Sequence, residues 1–261
     1  MINSNNQKPV VLVIAGHDPS GGAGIQADIE TIASAGCHAT SVITSLTAQN
    51  TKQVVDILPQ KPAAFRKQIG LILEDMQIAS CKIGMIGDVQ LVDIIQNELS
   101  NIIFPVVLDP VMGSTSGQSF ADDNICKKIL SSLLPITTVL TPNTKEARIL
   151  SQSTNINEAA DKFLKLGASS VLITGADEET DVVTNTFFTE TESPVEYHWE
   201  RLTGSFHGSG CTLSSRIAAL LALDNDIKTS VEIAQAYTWN TLKHGIKIGQ
   251  GQVQPDRFYE E

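Results

Sequence analysis

Basic side chains are scarce in this chain: 18 Lys and Arg stand against 29 Asp and Glu, a net charge of −11. Nucleic-acid backbones are held by clustered basic faces, so this balance argues against nucleic acid as a partner. It also means that any phosphate site must be built locally, from amides, a metal ion and a few cations. Long apolar runs are missing too. No segment approaches the ~20 apolar residues of a membrane span, and residues 1–8 are polar, without the apolar core of a signal peptide. The expectation is no membrane partner. Cysteine is sparse and scattered, with four thiols at 37, 81, 126 and 211 and no C-x-x-C pair. That excludes the usual zinc patterns and predicts reduced thiols in a cytoplasmic protein. Repeats, low-complexity stretches and linkers are absent as well. The 261 residues therefore predict one domain over 1–261, with 1–8 as a polar tail.

What is present is a succession of short Val/Ile/Leu runs separated by helical patterns. Residues 10–16 form a continuous apolar run ending in glycine, as in a strand buried on both faces. Further strands are predicted at 41–46, 54–58, 80–86, 105–108, 138–140 and 171–174, and an antiparallel hairpin at 182–189 and 195–199. Helical spacing marks 24–35 (closing at Gly36), 63–76, 89–99, 124–134, 143–150, 158–166, 211–223 and 229–247. Strands alternating with helices predict an α/β fold, a mostly parallel sheet covered on both faces. Ligands bind such sheets at the carboxyl ends of the strands.

The richest motif is His207-Gly208-Ser209-Gly210-Cys211-Thr212, which runs directly into an apolar helical segment. The first amides of a helix lack internal partners, and the macrodipole adds roughly half a positive charge there. Glycines 208 and 210 admit a phosphate close to the backbone. The same field is expected to lower the Cys211 pKa from its free value of about 8.5 and favour the thiolate. A cradle for anions beside an activated base points to phosphoryl transfer. His207 is a candidate for orienting the loop; His38, His198 and His244 form no constellation, and Cys37, Cys81 and Cys126 read as small buried apolar residues.

Other polar clusters follow strand ends. Residues 16–24, GHDPSGGAG, match neither a Walker A loop nor G-x-G-x-x-G, and fit a ligand-contacting loop or a flexible turn at Asp18 equally. Gln49 offers a carboxamide suited to an amino-azine edge, although an exposed loop glutamine is the simpler reading. Asp109, ahead of Pro110, suits either magnesium or a turn. Asn143 and Glu146 have the spacing of a capping box, with Glu146 also placed to hold magnesium-bound water. The Gly/Ser/Thr-rich stretch 113–122 is the candidate for a segment that closes over the substrate.

Taken in order, AGHDPSGGAGIQAD (15–28), SVITSLTAQNT (41–51), KIGMIGD (82–88), VVLDPVM (106–112), LTPNTKEA (140–147) and HGSGCTLSSRIAALLA (207–222) resemble the hydroxymethylpyrimidine/phosphomethylpyrimidine kinases of thiamine biosynthesis. Those enzymes lie in the ribokinase-like superfamily. The resemblance implies a three-layer sandwich in a homodimer, and ATP-dependent phosphorylation of 4-amino-5-hydroxymethyl-2-methylpyrimidine and then of its monophosphate. It implies Gly16, Asp18, Ala23, Gln49, Met85 and Val111 around the pyrimidine. Gly208, Ser209 and Gly210 become the anion hole and Cys211 the base. Asn143, Thr174, Gly175, Gly208 and Gly210 fall to ATP, and Asp109 and Glu146 to Mg2+. Two departures stand out: Thr174-Gly175-Ala176-Asp177 replaces the family's common lysine followed by Gly-Gly, and Ser209 replaces its common threonine. Two alternatives stay open, a pyridoxine or pyridoxal kinase and a non-catalytic pyrimidine- or nucleotide-binding regulator.

Overall fold

The computed structural model describes residues 8–113 and 122–259, so the segment suggested as a lid lies mostly outside the described residues. Its frame is a nine-stranded sheet of β1 (Val10–His17), β2 (His38–Gln49), β3 (Val54–Pro59), β4 (Ile78–Ile83), β5 (Val106–Leu108), β6 (Val139–Leu140), β7 (Ser170–Ile173), β8 (Val182–Thr189) and β9 (Val195–Glu200). The spatial order is β3-β2-β1-β4-β5-β6-β7-β8-β9. Strands β2, β1, β4, β5, β6 and β7 run parallel, and β3 at one edge and the β8–β9 hairpin at the other are antiparallel.

Strand side chains alternate between two apolar layers, as the period of two requires. Leu12, Ile14, Cys81, Ile83, Val106 and Leu108 face α2 (Pro62–Asp75), α3 (Val89–Glu98), α4 (Asp123–Lys128), α5 (Thr144–Ser151) and α6 (Ile156–Lys165). Val11, Val13, Ala15, Val107, Val139 and Leu172 face α1 (Gly24–Ser34), α7 (Ser209–Ala222) and α8 (Ile227–Lys243). The unbroken apolar run of β1 is thus explained: both its faces are covered, and each fully buried Leu or Ile there contributes roughly 1.5–3 kcal/mol. The expected three-layer α/β arrangement is what forms.

Local details differ from the pattern read in the sequence: the helix expected at 229–247 spans Ile227–Lys243, and the strand expected at 80–86 spans Ile78–Ile83. Strand β2 begins at His38 and ends at Gln49, longer than 41–46 at both ends, because pairing to β1 and β3 extends it. The single helix expected at 124–134 breaks into α4, a wide turn at Ile129–Leu133 and a tight turn at Leu134–Ile136. Pro135, which has no amide proton, helps end the regular spiral. Cys126 is half-buried, unlike Cys37 and Cys81, which are buried as expected. What matters for the site is the direction of the six parallel strands. Their carboxyl ends lie at one edge of the sheet, and the chain order reverses between β1 and β4.

Candidate active site

A cleft of about 530 Å3 opens at that edge. It gathers Gly16 at the end of β1, Asp18 and Ala23 after it, Gln49 at the end of β2, Met85 after β4, and Asp109 and Val111 after β5. Asn143 and Glu146 follow β6, Thr174 follows β7, and Gly208, Ser209, Gly210 and Cys211 open α7. Gly175 is the exception among the residues singled out from sequence. It does not line the cleft; its amide donates to Asn185 Oδ1 at 3.1 Å, and a Cβ there would collide with the Thr184 carbonyl.

The loop after β1 is organised by Asp18. Its carboxylate accepts from the Ser20 amide at 2.8 Å, the Ser20 hydroxyl at 2.7 Å, the Ala23 amide at 2.9 Å and His207 Nε2 at 2.8 Å. Burial alone would raise its pKa; the hydrogen bonds from His207 and Ser20 outweigh that and hold it well below the usual carboxylate range. Asp18 is therefore more than a turn residue: through His207 it joins the loop after β1 to the loop before α7. His207 has the orienting position suggested by the sequence.

Gly208 takes φ +89°, and a Cβ there would run into the Gly22 carbonyl, so the two loops touch only because residue 208 is glycine. Helix α7 starts at Ser209, two residues earlier than its apolar pattern suggests, which puts Cys211 in the first turn. The Gly24 amide, at the start of α1, favours the Cys211 thiolate. Here the structure corrects an expectation. Removal from water pushes the Cys211 thiol up to about 12; Lys82 pulls the other way, while Asp28 and Asp109 add to the rise. Desolvation outweighs the helix terminus, and the resting group is the neutral thiol.

Asp109 and Glu146 share the far wall. Glu146 Oε2 accepts from the Asn143 amide at 2.9 Å and Asn143 Oδ1 from the Glu146 amide at 2.8 Å, so the capping box forms and both residues still line the cleft. Burial raises both carboxyls, and Asp109 raises Glu146 further by its own charge. Ser214 donates to Asp109 Oδ2 at 3.4 Å, leaving the other Asp109 oxygen with acceptor capacity. Among the described residues no three His, Cys, Asp or Glu converge on a closed metal cage. Two carboxyl groups facing one cleft do fit a magnesium ion, which keeps most of its waters and takes one or two carboxylates plus phosphate oxygens.

Sequence reasoning missed several residues. Lys82 lines the cleft floor, its side chain wholly buried, with Nζ 2.8 Å and 3.0 Å from the two oxygens of Asp28, itself wholly buried. Ser215 of α7 donates to Asp28 Oδ1 at 2.7 Å. A signal was available for Asp28, which shares the apolar stripe of Ile25 and Ile32 on α1, and for Lys82, a lone cation in an apolar strand. Arg257, near the end of the chain, is also buried and reaches the same loops. At the opposite end of the cleft, Trp199, Arg201, Gln235 and Trp239 form a wall that no motif announced.

A phosphate-sized cradle at a helix start, two loops locked together beside it, and a pair of carboxylates at the ends of parallel strands define a kinase cleft in a ribokinase-like fold. The family model of phosphomethylpyrimidine kinase matches residues 18–256. The chain belongs to that family. It is 35% identical over 257 residues to the hydroxymethylpyrimidine/phosphomethylpyrimidine kinase of Synechococcus elongatus, covering 96% of this chain and 98% of the relative. A solved phosphomethylpyrimidine kinase from Clostridium difficile is 31% identical, with TM-score 0.77 over 88% of this chain and 98% of that one. The pyridoxal kinase of Bacillus subtilis, solved as an ADP complex, is 26% identical, with TM-score 0.88 over 96% of this chain and 98% of that one.

Proposed function

We propose that the chain transfers the γ-phosphoryl of ATP to the hydroxymethyl oxygen of 4-amino-5-hydroxymethyl-2-methylpyrimidine, and then to the resulting monophosphate, in thiamine biosynthesis. One observation carries the reading: the amides of 208–211 and the pyrimidine-type residues Gln49, Met85 and Val111 open into one cleft. The acceptor ring sits between Gly16, Met85 and Val111, with Gln49 across its amino-azine edge. ATP lies along Thr174 and Asn143 with its phosphates at Gly208–Gly210, towards the wall that includes Trp199 and Trp239. Asp109 and Glu146 would hold a magnesium ion through water, which, when bound, neutralises phosphate charge.

Phosphoryl transfer is loose, so fixing the partners in line and neutralising charge supply most of the acceleration. Amides at the α7 terminus do so without reorganising. As the new O–P bond forms, the alcohol proton passes to the Cys211 sulfur in the small thiolate population that Lys82 favours, so the alcohol step accelerates as pH rises. The second step begins from a phosphate oxygen and has no proton to lose. A cytoplasmic homodimer belongs to this reading. A second reading, a pyridoxal kinase, is favoured by the close match in shape to the Bacillus subtilis enzyme. ADP release measured with the aminopyrimidine alcohol, pyridoxine and pyridoxal separates the two. Turnover of the pyrimidine alcohol at least tenfold above both pyridine substrates supports the first; the reverse order replaces it, and no ADP release with any of them leaves a binding protein.

A further inference from the structure

The last part of the chain runs across the loops that build the cleft. The Gly251 amide donates to Thr51 Oγ1 at 3.0 Å, beyond the end of β2. Gln254 Nε2 donates to the Ser20 carbonyl at 3.2 Å, and the His207 amide donates to the Val253 carbonyl at 2.9 Å. This strap ends at Arg257, which is 3% exposed. Its Nη2 donates to the Gly22 carbonyl at 2.5 Å and its Nη1 to the Gly21 carbonyl at 3.5 Å. Nη1 also meets Glu30 of α1 at 2.9 Å. Its Nε donates to Thr212 Oγ1 at 3.1 Å, and that hydroxyl donates on to the Gly208 carbonyl at 2.9 Å. The Tyr237 hydroxyl of α8 donates to the Arg257 carbonyl at 2.7 Å, fixing the clamp from behind.

A guanidinium leaves water only where its fork of donors is met, and here each nitrogen has a partner. Those partners fall in two groups. One is the loop after β1, which carries Asp18 and Ala23; the other is the first turn of α7, which carries the amide cradle and Cys211. We propose that Arg257 is a positioning residue for phosphoryl transfer, locking the acceptor loop at 21–22 to the cradle at 208–212 and so fixing the gap that the phosphoryl group crosses. This rests on the kinase reading of the cleft. Arg257 touches neither substrate; it acts by holding the two loops in register. A lysine in its place offers one point of charge and cannot reach Gly22 and Thr212 together.

The test uses the full chain with Arg257→Met, Arg257→Lys and Thr212→Val. Each variant is followed by thermal melting, by steady-state kinetics with the aminopyrimidine alcohol and ATP, and by amide hydrogen exchange. A displacement of the reacting groups by about 1 Å costs on the order of 100-fold in rate. Arg257→Met is therefore expected to melt cooperatively, to lose roughly 100-fold in kcat with KM for both substrates within about threefold, and to exchange faster in 20–24 and 208–212 together. Arg257→Lys should lose at least about tenfold, and Thr212→Val a smaller amount with the same split. Faster exchange confined to residues beyond 245, or kcat within twofold of wild type in a folded Arg257→Met, overturns the proposal. If both Arg257 variants fail to fold, Thr212→Val decides alone: unchanged kcat and unchanged exchange at 20–24 overturn it. If wild type turns over no alcohol, the kinase reading fails by itself, and joint or separate loosening of the two segments judges the clamp.

Discussion

Asp28→Asn is the perturbation whose size follows most directly from the structure. The carboxylate it removes is wholly buried and faces a wholly buried ammonium on Lys82, with Ser215 as the other donor to Asp28 among the described residues. Burial would lower the Lys82 pKa; the charge and hydrogen bond of Asp28, together with Cys211 and Asp109, outweigh it and the net shift is upward. Removing one partner of a buried pair leaves an uncompensated charge and costs about 3–5 kcal/mol. For a chain of this size, 1 kcal/mol moves the melting temperature by roughly 2–4 °C, so Asp28→Asn should melt on the order of 10 °C lower. Urea unfolding at pH 7 should show the same loss in midpoint with the m-value unchanged. The sign with pH also follows. With its folded pKa raised, Lys82 contributes stability fully below its unfolded value of about 10.4 and loses it as pH rises through the folded value. In the variant burial is opposed only by the weaker pulls of Cys211 and Asp109, the lysine pKa falls, and the deficit is largest near neutrality and shrinks towards pH 10. The double change Asp28→Leu with Lys82→Met should recover much of the loss, since an apolar pair of similar volume carries no desolvation penalty. A loss below about 1 kcal/mol for Asp28→Asn, or a double variant no better than the single one, refutes the reasoning.

Other expectations follow from the same site. Asp109 and Glu146 have raised pKa values, so the native state binds more protons than the unfolded chain above the ordinary carboxylate range. Without magnesium, melting should fall as pH rises from about 5 to 8, and Glu146→Gln should flatten that slope; a wild-type curve rising over this range contradicts it. Gly208→Ala meets both a positive φ and the Gly22 carbonyl, so it should cost more than about 1 kcal/mol and lower kcat at least about tenfold, checked by melting and ADP release; wild-type values in both contradict the contact of the two loops.

How much of this was legible beforehand differs by element. The sheet was, because the short continuous apolar runs of β1 and β5 and the apolar stripes of α1 and α7 are local patterns that tertiary contacts reinforce. The break after α4 was not, since no apolar periodicity distinguishes a wide turn at 129–133 from continued α-helix. Of the site, the glycines and carboxylates at strand ends were legible by position alone. The Cys211 pKa was misjudged because a helix start is visible in sequence while desolvation depends on what packs around the sulfur. Lys82 and Asp28 lie 54 positions apart, and Arg257 meets Gly22 across 235, distances at which one sequence carries no pairing signal. Gly175 was carried along by its neighbour Thr174, whose side of the turn faces the cleft while the glycine packs against β8.

The most direct measurement is the rate of each phosphorylation, alcohol and monophosphate, in Cys211→Ala beside wild type. A proton-accepting sulfur is worth about 10²–10⁴ in the alcohol step. The account predicts that loss there, a loss below about tenfold with the monophosphate, and a wild-type alcohol rate that climbs with pH while the variant's does not. Equal losses in the two steps would contradict it, and would reduce Cys211 to a wall of the cradle.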